Sequence, residues 1–273
     1  MDCIYLFTSE YPRLLAEISN PPECLWTRGA RSLLARPAIA IVGARDASRE
    51  GVEIAYQIAS DLARAGIVVV SGLARGIDSA AHTGALDGGG TTIAVLGTGI
   101  DRVYPAENKA LHERIAAHGL LLTEFQPGAH AELFHFPLRN RIISGLSRAV
   151  VVVEARERSG SLITARLAGD QSRDVMVVPG PTRTGQNRGG HALLRDGAKL
   201  VESAVDILQE LGMDATAVPL PESLESVEFT VDEIAEKLKI SPGEALARLL
   251  EWELTGEIQR IGLGRFVRSR SKV

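Results

Sequence analysis

The chain has 273 residues, 45% of them hydrophobic, and a formal net charge of −4, which by itself disfavours a nucleic-acid partner. This length suits one medium α/β domain with a small additional domain. No run approaches the roughly 20 apolar residues of a membrane span, and the N-terminus lacks the basic-then-apolar pattern of a signal peptide. Because Cys3 and Cys24 form no CxxC motif, they are predicted to be reduced. We therefore expect a cytoplasmic protein with no membrane partner.

Residues 1–36 are predicted to be an N-terminal extension that packs on the main domain. From residue 38 strand and helix patterns alternate along the chain. The predicted strands are Ala38–Val42, Ile67–Ser71, Thr91–Leu96, Leu120–Thr123, Ala149–Glu154, Asp174–Val178 and a weak Lys199–Val201. The predicted helices are Glu50–Ala65, Ser79–Leu86, Glu107–His118, Asn140–Leu146, Leu162–Gln171 and Ala204–Leu211. Nearly continuous apolar and β-branched strands are typical of parallel sheets, so residues 37–211 are predicted to form an α/β domain with a doubly wound, mostly parallel Rossmann-like sheet.

Residues 212–226 contain two prolines and little apolar periodicity, and they are predicted to be a linker. The segment 227–273 is predicted to be a small winged-helix domain. It has a helix at Thr230–Leu238 with a capping box, a second helix from Pro242 to Leu254, and a hairpin of Glu257–Ile261 with Arg265–Arg268. The second helix region carries four acids and one arginine, whereas a helix that reads the major groove should be basic, so we expect protein contacts or no DNA role.

Glycine and arginine residues follow several predicted strands at the edge where open parallel sheets bind ligands. They occur as Gly43-Ala44-Arg45, as the loop from Ser71 to Asp78, and as Arg158-Ser159-Gly160-Ser161. Backbone N–H groups of such loops and helix N-termini bind anions, although glycines also serve merely to make tight turns. The GxGxxG spacing and the Walker A pattern are both absent, and the second strand ends in Ser71 rather than an acid. An anion site without a nucleotide cofactor is therefore predicted.

Motifs for catalysis or metal binding are scarce in this sequence. There is no GxSxG elbow, no HExxH and no cysteine–histidine cluster, so neither catalytic residues nor a metal are predicted. Asp78 and His82 lie four residues apart on one helix face, and a helix cap with an oriented imidazole is favoured over catalysis. Glu154 at a strand end is compatible with an acid/base role or with an anchor for the arginines around it.

The segment Phe134–Ser147 combines Phe134 and Phe136 with Arg139 and Arg141. It opens a stretch, residues 139–195, that has ten arginines, no lysine and four acids. Arginines beside aromatic rings are the pattern of a single-strand binder, because the charges hold the backbone and the rings stack on bases. The alternatives are buried phenylalanines and arginines on a solvated surface.

These segments resemble the DNA-processing protein A family (DprA/Smf). The matching strings include IAIVGAR, VVSGLARGIDSAAHTGAL, FPLRNRIISGLS and VVVEARERSGSLITARLA, in order within about residues 11–208. The resemblance implies a protein that is not an enzyme, that binds and protects incoming single-stranded DNA in natural transformation, that loads the RecA recombinase, and that dimerises through its Rossmann-like domain. The DNA site that it implies comprises Gly43, Arg45, Phe136, Arg139, Asn140 and Arg141, with Ser71, Gly72, Arg75, Gly76, Ser159, Gly160 and Ser161 completing the crevice.

A second reading places the chain among the lysine-decarboxylase-like nucleoside monophosphate phosphoribohydrolases. Their Rossmann-like fold would seat a nucleotide in the same crevice, with Glu154 as acid/base. Their PGGxGTxxE string is absent, however, and the nearest segment reads ERSGSLITA.

Overall fold

The computed structural model describes residues 2–213, 228–238, 241–254, 258–262 and 264–268, which fall into two units, Met1–Leu211 and Gly212–Val273. The predicted linker, residues 212–226, lies outside the described residues from position 214 onward.

The first unit is built on a sheet whose strands follow the order β1-β2-β6-β5-β4-β3-β7-β8-β9. The strands are β1 (Asp2–Tyr5), β2 (Cys24–Gly29), β3 (Ala38–Val42), β4 (Val68–Ser71), β5 (Thr92–Val95), β6 (Leu120–Thr123), β7 (Ala149–Val152), β8 (Asp174–Val177) and β9 (Lys199–Leu200). Strands β3 to β9 pair in parallel, and β1 and β2 are antiparallel. Every residue of β3 to β7 is buried, which explains the unbroken apolar runs. The predicted Rossmann-like class is confirmed.

Helices cover this sheet and position the loops at its carboxyl edge. They are α1 (Arg13–Ala16), α2 (Arg49–Arg64), α3 (Ile77–Asp87), α4 (Lys109–His118), α5 (His135–Gly145), α6 (Ser161–Asp170), α7 (Arg188–Arg195) and α8 (Ala204–Glu210), with 3₁₀ turns at Arg31–Ala35 and Ala106–Asn108. Helix α5 begins earlier than predicted, because Pro137 lies in its first turn, where a missing N–H is tolerated. This earlier start places Phe136 on the helix.

The N-terminal residues extend the sheet rather than only packing on it. Strand β2 pairs with β6, with Trp26 opposite Thr123, and β1 forms the outer edge. The prediction of reduced cysteines is contradicted, because Cys3 and Cys24 lie on the neighbouring strands β1 and β2, with Cα atoms 6.1 Å apart, and form a disulfide. Nothing in the spacing of these cysteines indicates that their two strands pair.

The chain order creates a switch point between β3 and β7. From β3 the chain proceeds through β4, β5 and β6 on one side, and then returns to β7 on the other side of β3. Right-handed crossovers therefore put α2 and α6, which follow these two strands, on opposite faces of the sheet. The carboxyl ends of β3 and β7 consequently flank a crevice, the usual ligand position in this architecture.

The described part of the second unit contains β10 (Phe229–Thr230), α9 (Val231–Leu238), α10 (Pro242–Leu254), β11 (Ile258–Gly262) and β12 (Arg265–Arg268). Its small antiparallel sheet has the order β10-β12-β11. Trp252, Leu249 and Phe266 are among the residues of its core. The predicted capping box forms, since Thr230 N–H donates to the Glu233 carboxylate at 2.8 Å. The winged-helix assignment itself stays a prediction.

Among the described residues, no helix combines the length and the apolar character that crossing a bilayer requires.

We expect Gly84→Ala to destabilise the first unit by about 1–3 kcal/mol, the usual cost of overpacking. Gly84 on α3 faces the backbone of α2, and an added Cβ would overlap the carbonyl oxygen of Tyr56. Gly169→Ala on α6 is the matched control, because its Cβ would meet open space. That change should stabilise the helix by roughly 0.5–1 kcal/mol. Urea unfolding measures both, and equal effects of the two variants would contradict the close helix packing.

Candidate functional site

A cavity of about 530 Å³ lies at the switch point, and four loops and three helices contribute to its wall. Eight predicted site residues line it: Gly43, Arg45, Phe136, Arg139, Asn140, Ser159, Gly160 and Ser161. Arg158 of the predicted anion-binding loop also lines it, as do residues that were not singled out, among them Leu133, Arg156 and Ile163. Residues distant in the sequence thus meet where the chain order reverses.

A second cavity, of about 340 Å³, adjoins the first. The two share Arg45, Asp46, Ala74, Phe136 and Arg139 in their walls. The second cavity adds Gly72 and Arg75 from the loop after β4, and Gly97, Tyr104 and Pro105 from the loop after β5. Phe136 therefore stands between two recesses along the same sheet edge.

Arg45 is the exposed cation common to both cavities, since the other shared cation, Arg139, is buried. The guanidinium carbon of Arg45 lies 5.1 Å from the centroid of the Phe136 ring, in a cation–π arrangement. Within the described residues no carboxylate pairs with Arg45 or with the exposed Arg158, whereas Arg156 approaches Asp46 at 3.8 Å. The wall therefore offers unpaired positive charge beside an aromatic face.

The rim of the first cavity is apolar as well as charged. Leu133 is 89% exposed, and Ile163 on α6 is partly exposed. Gly160, directly before α6, has open space beside it, and the N-terminus of α6 opens to the cavity. Helix N-termini attract anions, so this wall can bind a phosphate while the rim contacts a flat apolar group.

Arg139 holds the loop after β4 rather than projecting into solvent. It is only 4% exposed, and its Nη1 donates to the carbonyl oxygens of Gly72, at 2.7 Å, and Val95. Its Nε donates to Asn140 Oδ1 at 3.0 Å. Burial lowers the pKa of Arg139 to about 10, opposed by the charge of Asp78, so the side chain is protonated at neutral pH. A Cβ at Gly72 would overlap this guanidinium, which explains the glycine there.

Asp78 binds the same loop from the other side. Its Oδ2 accepts from the N–H groups of Gly72, at 3.1 Å, and Ala74, at 3.4 Å. Burial raises the pKa of this carboxyl group, and the charge of Arg139 opposes the rise. The backbone of Gly72 is therefore clamped between a buried anion at its N–H and a buried cation at its carbonyl oxygen. Its N–H already has an acceptor, in contrast to the anion-binding role expected for this loop.

His82 completes the support of this loop. Its Nε2 accepts from the Leu73 N–H at 3.3 Å, so the proton is on Nδ1, which donates to Thr92 Oγ1 at 2.7 Å. Burial lowers the pKa of His82 to about 3, which keeps the imidazole neutral. This arrangement agrees with the favoured role as an oriented imidazole, although the acceptor is Thr92 rather than Asp78.

Glu154 occupies the N-terminus of α2. Its carboxylate accepts from Ser48 N–H at 3.2 Å and from Ser48 Oγ at 2.6 Å, and the residue is 3% exposed. Ser48 is the N-cap residue of α2. The helix terminus that would face a phosphate after the first strand of a dinucleotide-binding fold is therefore occupied by the protein's own carboxylate. Glu154 therefore anchors the start of α2, and it does not anchor the surrounding arginines, one of the roles that the sequence suggested.

The remaining predicted residues lie elsewhere. Ser71 is buried and donates to Ile41 O at 2.7 Å, and Gly76 has a positive φ where its backbone approaches Ala44. Arg75 lines only the second cavity and pairs with Glu107. Arg141 points away from both cavities and forms a two-pronged ion pair with Glu124, at 2.6 Å for each contact. Sequence proximity to Arg139 was misleading, because residues two apart on a helix face different directions.

Sequence reasoning missed Tyr104, Leu133 and Arg156 as site residues, and it named Arg158 only as part of a loop at the ligand-binding edge. Arg158 directly precedes the predicted Ser159, so the arginine-rich stretch carried a usable signal. Tyr104 lies far from the other predicted residues in the sequence, and only the fold brings it beside Phe136. In the described part of the chain, no group of three or more histidine, cysteine or acidic residues could hold a metal ion.

Comparison with known proteins gives consistent matches. The family model described as DNA recombination-mediator protein A matches residues 2–212. The DNA processing protein DprA of Streptococcus pneumoniae is 48% identical over 200 residues, which are 73% of this chain and 71% of that protein. The X-ray structure of DprA from the same species has a TM-score of 0.75 at 45% identity, covering 77% of this chain and 74% of that chain.

A structure of DNA processing protein A from Helicobacter pylori, described for its unique single-stranded DNA binding mode, has a TM-score of 0.70 at 29% identity. The match covers 77% of this chain and 96% of that one. All four matches leave part of this chain uncovered.

We expect Arg139→Met to lower the free energy of unfolding by about 3–5 kcal/mol, because it leaves the Asp78 carboxylate buried without its cation. Arg45→Met, at the same cavity but on an exposed side chain, should change it by less than about 0.5 kcal/mol. Urea unfolding of both variants tests the difference.

The double variant Asp78→Asn/Arg139→Met measures the coupling between the two charges. The sum of the two single losses in unfolding free energy should exceed the loss in the double variant. The reason is that removing both charges leaves no buried charge without its partner. Strict additivity would show that the two side chains act independently.

Proposed function

The chain belongs to the DNA recombination-mediator protein A family, and from this premise we propose that it binds single-stranded DNA in the cavity between β3 and β7 and acts in DNA processing during natural transformation. One observation carries the proposal: the unpaired guanidinium of Arg45 lies over the ring of Phe136 at the mouth of a recessed cavity. Charge beside a ring is what a backbone phosphate and an adjoining base require.

The phosphate partners are Arg45, Arg158 and the N-terminus of α6. These groups line one cavity and have no carboxylate partner among the described residues. Ser159 and Ser161 share a hydroxyl hydrogen bond of 2.7 Å at this terminus, and either hydroxyl can reorient toward a phosphate oxygen. We propose that four other predicted residues support the walls of the site without contacting the phosphate: Arg139, Asn140, Gly72 and Gly76.

A recessed site favours a single strand over a duplex. A base must leave the duplex stack to enter a cavity, which costs a few kcal/mol that a single strand does not lose. Readout of sequence is not expected, since stacking and phosphate contacts accept any base. The related protein from Helicobacter pylori is described as binding single-stranded DNA, which supports the same ligand for this chain.

The chain is proposed to be a binding protein rather than an enzyme. Glu154 was the candidate acid/base of a nucleoside monophosphate phosphoribohydrolase. Its carboxylate is buried and holds Ser48 at the start of α2, so it would need to release a helix cap in order to reach a nucleotide. This geometry favours DNA binding over the hydrolase alternative.

We also propose two partners, the RecA recombinase and a second copy of this chain. The family's description as a recombination mediator supports the RecA recombinase as a partner. A homodimer through the Rossmann-like unit is supported by β9, an edge strand whose Leu200 is exposed, and by exposed Val205 at the start of α8. A cytoplasmic location fits both partners and is proposed with them.

We expect tight, salt-sensitive binding of oligothymidylate and much weaker binding of matched duplex. Arg45→Gln should weaken single-strand binding by about 1–3 kcal/mol and reduce the slope of log K against log salt by roughly 0.7, the contribution of one phosphate contact. Fluorescence anisotropy across a salt series measures both quantities.

Arg13→Gln is the control for Arg45, because Arg13 is exposed on α1 and lines neither cavity. It should bind like the unmodified protein. Equal affinity for duplex and single strand, or an unaffected Arg45→Gln variant, would contradict the proposed site.

We expect a chain that ends at Leu211 to retain most of its single-strand affinity. Residues 1–211 form a compact unit that contains both cavities, and the second helix of the C-terminal unit is acidic. Anisotropy titration of the truncated protein is the measurement. A loss of tenfold or more, about 1.4 kcal/mol, would show that the C-terminal unit takes part in binding.

A further inference from the structure

Tyr104 is an aromatic side chain in the second cavity that the proposed site leaves without a role. Its ring is 46% exposed and lines the second cavity but not the first. The Tyr104 and Phe136 ring centroids are 5.3 Å apart, with planes inclined by 36°. One face of the Tyr104 ring thus packs toward Phe136, while much of its surface stays open.

The spacing of the two rings limits how a base can use them. Stacked nucleotides rise about 3.4 Å each along a strand, so a base inserted between two rings needs roughly 6.8 Å. The 5.3 Å separation of Tyr104 and Phe136 is too short for that insertion. A base can therefore stack only on the open side of Tyr104, in the second cavity, and not between the rings.

The second cavity has the size and charge for one nucleotide. Its volume of about 340 Å³ falls in the range of roughly 300–1,000 Å³ that small-molecule sites occupy. Arg45 stands at the boundary with the first cavity, and Arg75 lies in the wall of the second. Arg75 pairs with Glu107 on an exposed surface, and such pairs are weak enough for a phosphate to compete.

We propose that the second cavity is a subsite for the nucleotide adjacent to the one in the first cavity, with its base stacked on Tyr104 and the connecting phosphate held by Arg45 and Arg75. This inference rests on the proposed single-strand binding and extends it. Phe136 then separates two consecutive nucleotides. The chain has a site two nucleotides long on one sheet edge.

The test compares thymidine 5′-monophosphate with the dinucleotide pTpT as competitors of a fluorescent oligothymidylate, using the full chain. The unmodified protein should bind pTpT at least tenfold more tightly than the mononucleotide. Tyr104→Leu should weaken pTpT binding by about 5- to 150-fold, the loss of one base stack, and leave mononucleotide binding unchanged. Tyr104→Phe should restore the pTpT affinity, because it keeps the ring.

Tyr56→Leu is the matched control, since Tyr56 lies on α2, lines neither cavity and should change neither affinity. Equal affinities for the two competitors, or a Tyr104→Leu variant that loses both in proportion, would overturn the subsite. If Tyr104→Leu does not fold, the subsite is tested by photocrosslinking a strand that contains 5-iododeoxyuridine to the unmodified protein. Absence of an adduct at Tyr104 would then count against the subsite. Failure of the long oligothymidylate to bind would instead refute the proposed function.

Discussion

The geometry of the site depends on a buried clamp, in which Asp78 and Arg139 hold the backbone N–H and carbonyl groups of Gly72. Asp78 accepts the Gly72 N–H from α3, and Arg139 donates to the Gly72 carbonyl from α5. One residue therefore links two helices that belong to different crossovers of the sheet. Arg139 lies three residues after Phe136, about one helical turn, so the clamp also fixes where the Phe136 ring stands. Because that ring rests against Gly97 and separates the two cavities, the clamp determines the shape of both.

The same sheet edge shows how a common fold acquires a different ligand site. In a dinucleotide-binding domain the helix after the first strand faces the phosphates. Here Glu154 reaches across from the end of β7 and occupies that position through Ser48. The free helix terminus is that of α6, on the other side of the switch point, beside Arg158 and Gly160. The fold therefore supplies the crevice, whereas a few side chains decide which wall of it can bind an anion.

The sequence predicted the sheet well because its strands are buried on both faces and leave an unmistakable apolar run, as in Ala38–Val42. It also predicted which loops meet at the switch point. It did not predict exposure: Arg139 and Arg141 look equivalent in the sequence, yet one is a buried clamp and the other pairs with Glu124 away from both cavities. That difference depends on helix phase and on partners contributed by distant loops, which no local pattern contains. Tyr104 and the Cys3–Cys24 pairing escaped prediction for the same reason.

A protein with no net positive charge can still bind DNA when some of its unpaired positive charge lies in a recess. The net charge of −4 gives no general attraction for a duplex, whose phosphates approach only the outer surface. Outside the cavities several arginines are already neutralised, as in the pairs Arg28–Glu113 and Arg141–Glu124. In the proposed site, Arg45 and Arg158 have no carboxylate partner among the described residues, and a single strand that inserted a base there would bring its phosphate within reach of them. The net charge therefore adds no attraction for the duplex, while the proposed recess favours the ligand that can enter it, and the expected preference arises from both effects together.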